Sequence, residues 1–123
     1  GSAASLAKLN GSWAVMQSKG TKLDGVTPRP TLVFDTAAGT VSGFDGCNDF
    51  KGPYAFEQGR LKAKVVSTRK ACTGEAMRAV SEHIADLLGN GAQVVETSLL
   101  KGHVLLLKNA SGDLHLGPSS VVK

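Results

Sequence analysis

Aromatic side chains are scarce, at 5% of 123 residues, with one Trp, one Tyr and four Phe. The core must therefore be assembled from Val, Leu, Ile and Ala. Nucleic-acid readers usually present exposed stacking aromatics, and the basic stretches here contain none, so no nucleic-acid partner is expected. No apolar run approaches the length of a membrane-spanning helix. The three histidines, His83, His103 and His115, are scattered rather than clustered. A four-ligand zinc site is thereby disfavoured. No phosphate-binding loop, nucleophile elbow or paired carboxylates occur, so neither a cofactor nor a catalytic centre is expected. Charge of either sign is modest: 14 Lys and Arg against 10 Asp and Glu give a net charge of +4. That balance alone does not argue for a polyanionic partner.

What the chain has in plenty is glycine, 15 residues at turn-like intervals, which suits short strands better than a helical bundle. Residues 1–4 read as a cloning remnant and disordered lead-in, and 5–123 as one domain. A signal or lipid-anchor segment is expected to precede it. Leu9 to Met16 places a turn before a first strand, with Trp13 and Val15 on one face. Gly20 to Pro30 reads as a loop. Thr31–Phe34 and Thr40–Gly43 form a hairpin. Phe50, Tyr54 and Phe56 share a parity in the next strand. Arg60-Leu61-Lys62-Ala63-Lys64-Val65 alternates strictly between basic and apolar side chains, the mark of a strand buried on one face. Met77, Val80, Ile84, Leu87 and Leu88 form one stripe on a helix over about 74–88, with Thr73 as its N-cap and Gly89 and Gly91 as stops. The remainder returns to strands at 93–97, 99–101, 104–108 and 114–116. The run Val104–Leu107 does not alternate, which implies cover on both faces. Strands, one helix, then strands define an α+β domain. Its sheet would be curved, mostly antiparallel and partly barrel-like, with the main helix packed against it.

The stretch from Gly43 to Cys72 holds both cysteines. They could form a disulfide, lie as buried thiols, supply half a metal site, or provide a nucleophile with a spare. A structural pair is the preferred reading, because no nucleophile motif surrounds either one. Arg60, Lys62, Lys64, Arg69 and Lys70 are candidates for an anion-binding face, against the simpler reading of a solvated strand. Asp45, Asn48 and Asp49 lack the spacing of a calcium loop and suit a side-chain-stabilised turn. Asn10-Gly11-Ser12 and Asn109-Ala110-Ser111 match the short glycosylation pattern and also fall where turns are expected.

In order along the chain, Leu9-Asn10-Gly11-Ser12-Trp13, the core Gly46-Cys47-Asn48-Asp49-Phe50-Lys51-Gly52-Pro53-Tyr54, and Ser67-Thr68-Arg69-Lys70-Ala71-Cys72 resemble the signature of the META domain. This family is also called heat-shock HslJ-like. Lys70 departs from the Met often found there. Trp13, Gly46, Asn48 and Thr68 would be structural motif residues. The resemblance implies an envelope protein of bacteria, periplasmic or lipid-anchored at the outer membrane, linked to heat and antibiotic stress and without established catalysis. Its fold is similar to that of small pilot lipoproteins that assist secretion channels. The expected protein is a monomeric accessory domain that binds an envelope protein, peptide or lipid. Cys47 and Cys72 are expected to be bridged, fastening the central turn to the helix start. The alternatives are a thiol-dependent enzyme using Cys47 or Cys72, and an inhibitor of an extracellular hydrolase presenting the 20–30 loop.

Overall fold

Alternating sequences in this chain place every other side chain inward, and the strands curl until the sheet meets itself. A computed structural model describes residues 2–3, 6–99 and 102–122. The elements, in order, are β1 (Ser2–Ala3), α1 (Leu6–Leu9), β2 (Gly11–Ser18), β3 (Thr21–Lys22), β4 (Thr31–Asp35), β5 (Thr40–Phe44), β6 (Asp49–Glu57), β7 (Arg60–Ala63), β8 (Val66–Ser67), α2 (Glu75–Asn90), β9 (Ala92–Leu99), β10 (Gly102–Asn109) and β11 (Gly112–Pro118). Strands run β9-β10-β11-β2-β4-β5-β6-β7, and β7 pairs back onto β9, closing an eight-stranded barrel in which every ladder is antiparallel. Closure leaves a single narrow seam, because β7 and β9 match only at Arg60↔Gln93 and Leu61↔Ala92. Backbone groups that an open sheet would expose are mostly paired.

The interior is aliphatic, as the shortage of rings requires. Leu9, Val15, Leu32, Phe34, Val41, Leu61, Leu105, Leu107, Leu114 and Leu116 are each at most 1% exposed. On β7 the burial alternates as the sequence does, with Leu61 and Ala63 inward and Arg60 and Lys62 outward. Val65 is half-buried beyond the strand end. Replacing Leu61 with Ala should cost about 2–4 kcal/mol by lost transfer energy and the cavity left behind. Lys62→Ala should leave the denaturation midpoint nearly unchanged. Equal losses for the two would invalidate this facing.

Helix α2 seals the barrel with Val80, Ile84, Leu87 and Leu88, all buried in the same core. Its start differs from the sequence expectation. Gly74, not Thr73, occupies the N-cap position, and no side chain caps the helix there. The disulfide two residues upstream of Gly74 restrains this end instead. Gly89 lies inside the helix. Gly91 is the stop, at φ 96°, a backbone state that glycine adopts without Cβ strain, and its N–H donates to the Leu87 carbonyl.

Three other segments depart from expectation. Residues 6–9, read as a loose lead-in, form one helical turn, too short to show periodicity in sequence. Ser2 and Ala3, read as disordered, pair with Glu96 and Val95 on β9, beyond the point where β7 leaves that strand. Within the 20–30 loop, Thr21–Lys22 folds back as a short strand on Gln17 and Ser18. The expected strand at 99–101 falls mostly outside the described residues. In β10, Leu105 and Leu107 face the core and Val104 is 6% exposed on the opposite parity. Leu106 is half-buried, so cover of the outer face is incomplete.

Candidate functional site

The turn between β5 and β6 is built from its own side chains. Asp45 is 6% exposed, and its Oδ1 accepts hydrogen bonds from the backbone N–H groups of Cys47 (2.9 Å) and Asn48 (2.7 Å). The Asp45 N–H donates to the Asn48 carbonyl and closes the turn. These are turn-stabilising bonds of the kind short acidic side chains make, as expected for Asp45. Asn48 reaches the other way. Its Oδ1 accepts from the Thr68 hydroxyl (3.0 Å) and the Lys70 N–H (2.6 Å). The Thr68 Oγ1 in turn accepts from the Asp49 N–H at 3.1 Å. The segment after β8 is thus stitched to the start of β6 by these side chains together with the backbone bond from the Thr68 N–H to the Asp49 carbonyl.

Beside this network runs a covalent link. Cys47 and Cys72 are bonded, with Cα atoms 4.6 Å apart, and no free cysteine is present. Gly46 lies against Met77 of α2: a Cβ there would sit 3.3 Å from the Met77 carbonyl oxygen and sulfur. Trp13 plays a similar anchoring part at the first motif. It is 7% exposed, and its Nε1–H donates to the Leu9 carbonyl at 2.8 Å, tying α1 to β2. Trp13, Asn48 and Thr68 thus each bond to backbone, and Gly46 packs closely against α2.

The five candidate basic residues do not form one continuous patch. Arg60 and Lys62 project outward from β7, and exposed Lys64 follows directly. Arg69 and Lys70 lie beyond β8, and Lys70 pairs with Asp49 at 3.5 Å with both side chains well exposed. Such an exposed pair contributes little stability. Sequence reading missed Lys51 as a member of the β7 group. It sits on the outward parity of β6, in register with Val66 and one alternate residue from Pro53. The ladder that places it could not be inferred from spacing alone. A shallow cleft of about 300 Å³ lies between these side chains, lined by Pro53, Tyr54, Ala55, Lys62, Ala63 and Lys64. Within the 20–30 loop, Leu23 is 1% exposed and Arg29 donates to the Val15 carbonyl at 3.1 Å, so both ends are anchored on the barrel.

A second feature missed in sequence is His83, 1% exposed on the inner face of α2. Its spacing of three from Val80 and four from Leu87 was the available signal. Nδ1 lies 2.7 Å from the Ser18 Oγ, while Nε2 is buried without a hydrogen-bond partner. Burial pushes this imidazole below its ordinary pKa. The neighbouring Gly112 backbone, Asp86 and Asp113 oppose that shift, and Lys19 adds to it. The folded protein thus takes up the His83 proton less readily than the unfolded chain. Its stabilising contribution is present above the unfolded pKa of about 6.5 and is lost as pH falls below that value. Chemical denaturation should show a midpoint that drops from pH 7.5 to 5.5. His83→Gln should flatten the part of that slope due to His83; an unchanged slope would exclude the assignment.

Among the described residues no group of three or more His, Cys, Asp or Glu could hold a metal ion. No helix among them is long and apolar enough to cross a membrane.

A closed antiparallel barrel plugged by one helix, with a disulfide joining its central turn to that helix, defines the class of this domain. The model of one family, the META domain, matches residues 4–117, and the chain belongs to that family. Solved structures share the fold. One, described as an NMR structure of a protein, is 21% identical with a TM-score of 0.78, covering 98% of this chain and 99% of that one. Another, an NMR structure of a protein from Burkholderia xenovorans, is 23% identical with a TM-score of 0.63, over 90% of this chain and 83% of the other. The curated proteins contain no match.

Proposed function

We propose that this protein is a non-catalytic accessory domain of the bacterial envelope, periplasmic or associated with the outer membrane. It binds an envelope protein, peptide or lipid and supports tolerance of heat or antibiotic stress. The observation that carries this reading is the Cys47–Cys72 bond. Such a bond persists in oxidising compartments and is reduced in a typical cytosol. It also leaves neither sulfur as a thiolate nucleophile, which weighs against the thiol-dependent enzyme. Membership of the META domain family agrees with the reading. The side chains of the shared motifs are engaged in turn and strand contacts, so the exposed outer surface of the barrel is where a partner would bind.

The test combines location and chemistry. The natural precursor, expressed in its own bacterium, should fractionate with the periplasm or outer membrane, and its deletion should sensitise cells to heat or antibiotic. Hydrolase and oxidoreductase substrate panels should show no turnover. Retention in the cytosol, or turnover abolished by Cys47→Ser, would overturn the proposal.

A further inference from the structure

The outer face of β6 and β7 has the form of a trough. Along β6 the outward side chains Pro53 and Ala55 are short and exposed. They make a low apolar floor. Long cations rise beside it: Ala55 is in register with Lys62, and the Lys64 N–H donates to the Pro53 carbonyl, which sets Lys64 next to Pro53. Lys51 stands at one end and Arg60 toward the other. On the opposite bank, Thr40 and Ser42 of β5 are in register with Pro53 and Lys51. None of Lys51, Arg60, Lys62 and Lys64 has an ion pair among the described residues, whereas Lys70, Arg78 and Lys108 do. Two carboxylates stand on the same outward parity of β6 at the ends of the row: Glu57, opposite Arg60, and Asp49, one alternate residue from Lys51 and paired with Lys70.

Arg60 and Lys62 are alternate residues of β7, so their Cα atoms lie about 6.7 Å apart, and Lys64 is the next alternate residue, just past the strand end. An extended peptide presents every second side chain on one side at that same repeat. We infer that this trough docks an extended acidic peptide segment of a partner protein, lying along β6. Its alternate carboxylates would meet Lys62, Lys64 and Arg60, and its intervening small side chains would lie toward Thr40 and Ser42. Charge complementarity supplies the attraction, and the matched period supplies register. A fluid anionic lipid surface would use the charge but not the period. The inference rests on the binding-domain reading above and gives it a ligand class.

The experiment uses the intact protein with a fluorescent peptide alternating Glu and Thr, and an isomer carrying the same residues as a Glu block followed by a Thr block. Anisotropy at low salt should show the alternating peptide binding more tightly than its isomer. Lys62→Glu/Lys64→Glu should weaken it about tenfold or more, with the thermal unfolding of the variant unchanged, and added salt should weaken it further. Amide shift changes should centre on residues 51–64. The absence of binding, equal affinity for both isomers, or indifference to the double variant would overturn the inference. Capture on phosphatidylglycerol vesicles without peptide binding would replace it with a membrane contact. If the peptide fails while envelope location and the lack of turnover hold, the functional reading stands and only this docking face falls.

Discussion

Cys47→Ser/Cys72→Ser should unfold at a markedly lower denaturant concentration than the bridged protein, with a loss of about 3.5 kcal/mol. That figure follows from chain entropy. The bond closes a loop with a sequence separation of 25 residues, and without it the unfolded chain regains the conformations the loop denied it. The m-value should rise slightly as the unfolded state expands. For a domain of ordinary stability, about 5–15 kcal/mol, this is a large share. The hydrogen bonds from Asn48 to Thr68 and Lys70 span the same gap and survive in the variant. The fold should therefore persist, weakened, and reduction of the native protein should reproduce the shift. A loss below about 1 kcal/mol would mean that those hydrogen bonds carry the junction and that the covalent bond is redundant for stability.

Gly52→Ala should be worse. A Cβ at Gly52 would lie 2.0 Å from the Lys64 carbonyl oxygen and 2.7 Å from the Val65 Cα. Both obstacles are backbone, so no flexible side chain can swing aside. The chain bends across β6 at this point, between the end of β7 and the start of β8, and only a residue without a side chain fits beneath it. We expect a loss of about 3 kcal/mol or more, or failure to accumulate folded protein. Gly89→Ala is the control. Gly89 sits inside α2 with nothing within 4 Å of its would-be Cβ, so the change should gain about 0.5–1 kcal/mol from helix propensity. Similar small effects at both sites would show that the crossing relaxes freely.

These two glycines show where sequence reading stops. Leu61 and Ala63 could be assigned to the core because their neighbours Arg60 and Lys62 are incompatible with it, a local contrast. The stripe from Met77 to Leu88 was legible for the same reason. The crossing over Gly52 is set by how β7 and β8 divide one side of β6 between them, which no local pattern encodes. Propensity favours a side-chain cap at Thr73, whereas the helix start lies one residue past it, where the tether at Cys72 restrains it without one. His83 lies on the apolar stripe, but a histidine's polarity masks the core position that its spacing gives. In the candidate face, the period of Arg60, Lys62 and Lys64 was readable. Lys51 joins them only through the ladder, and Lys70 leaves them for Asp49.

The bond between Cys47 and Cys72 also turns the intervening chain into a covalent ring that contains β6, β7 and β8, and with them Lys51, Arg60, Lys62 and Lys64. Arg69 and Lys70 lie on this ring, exposed and outside any strand, where a trypsin-like protease has two basic residues to cut after. A cut there opens the ring without releasing either half. The nicked protein would migrate as one species until reductant is added, then separate into two fragments. Where such proteases are present, the segment bearing the basic trough stays attached to the rest of the chain after that bond is cut.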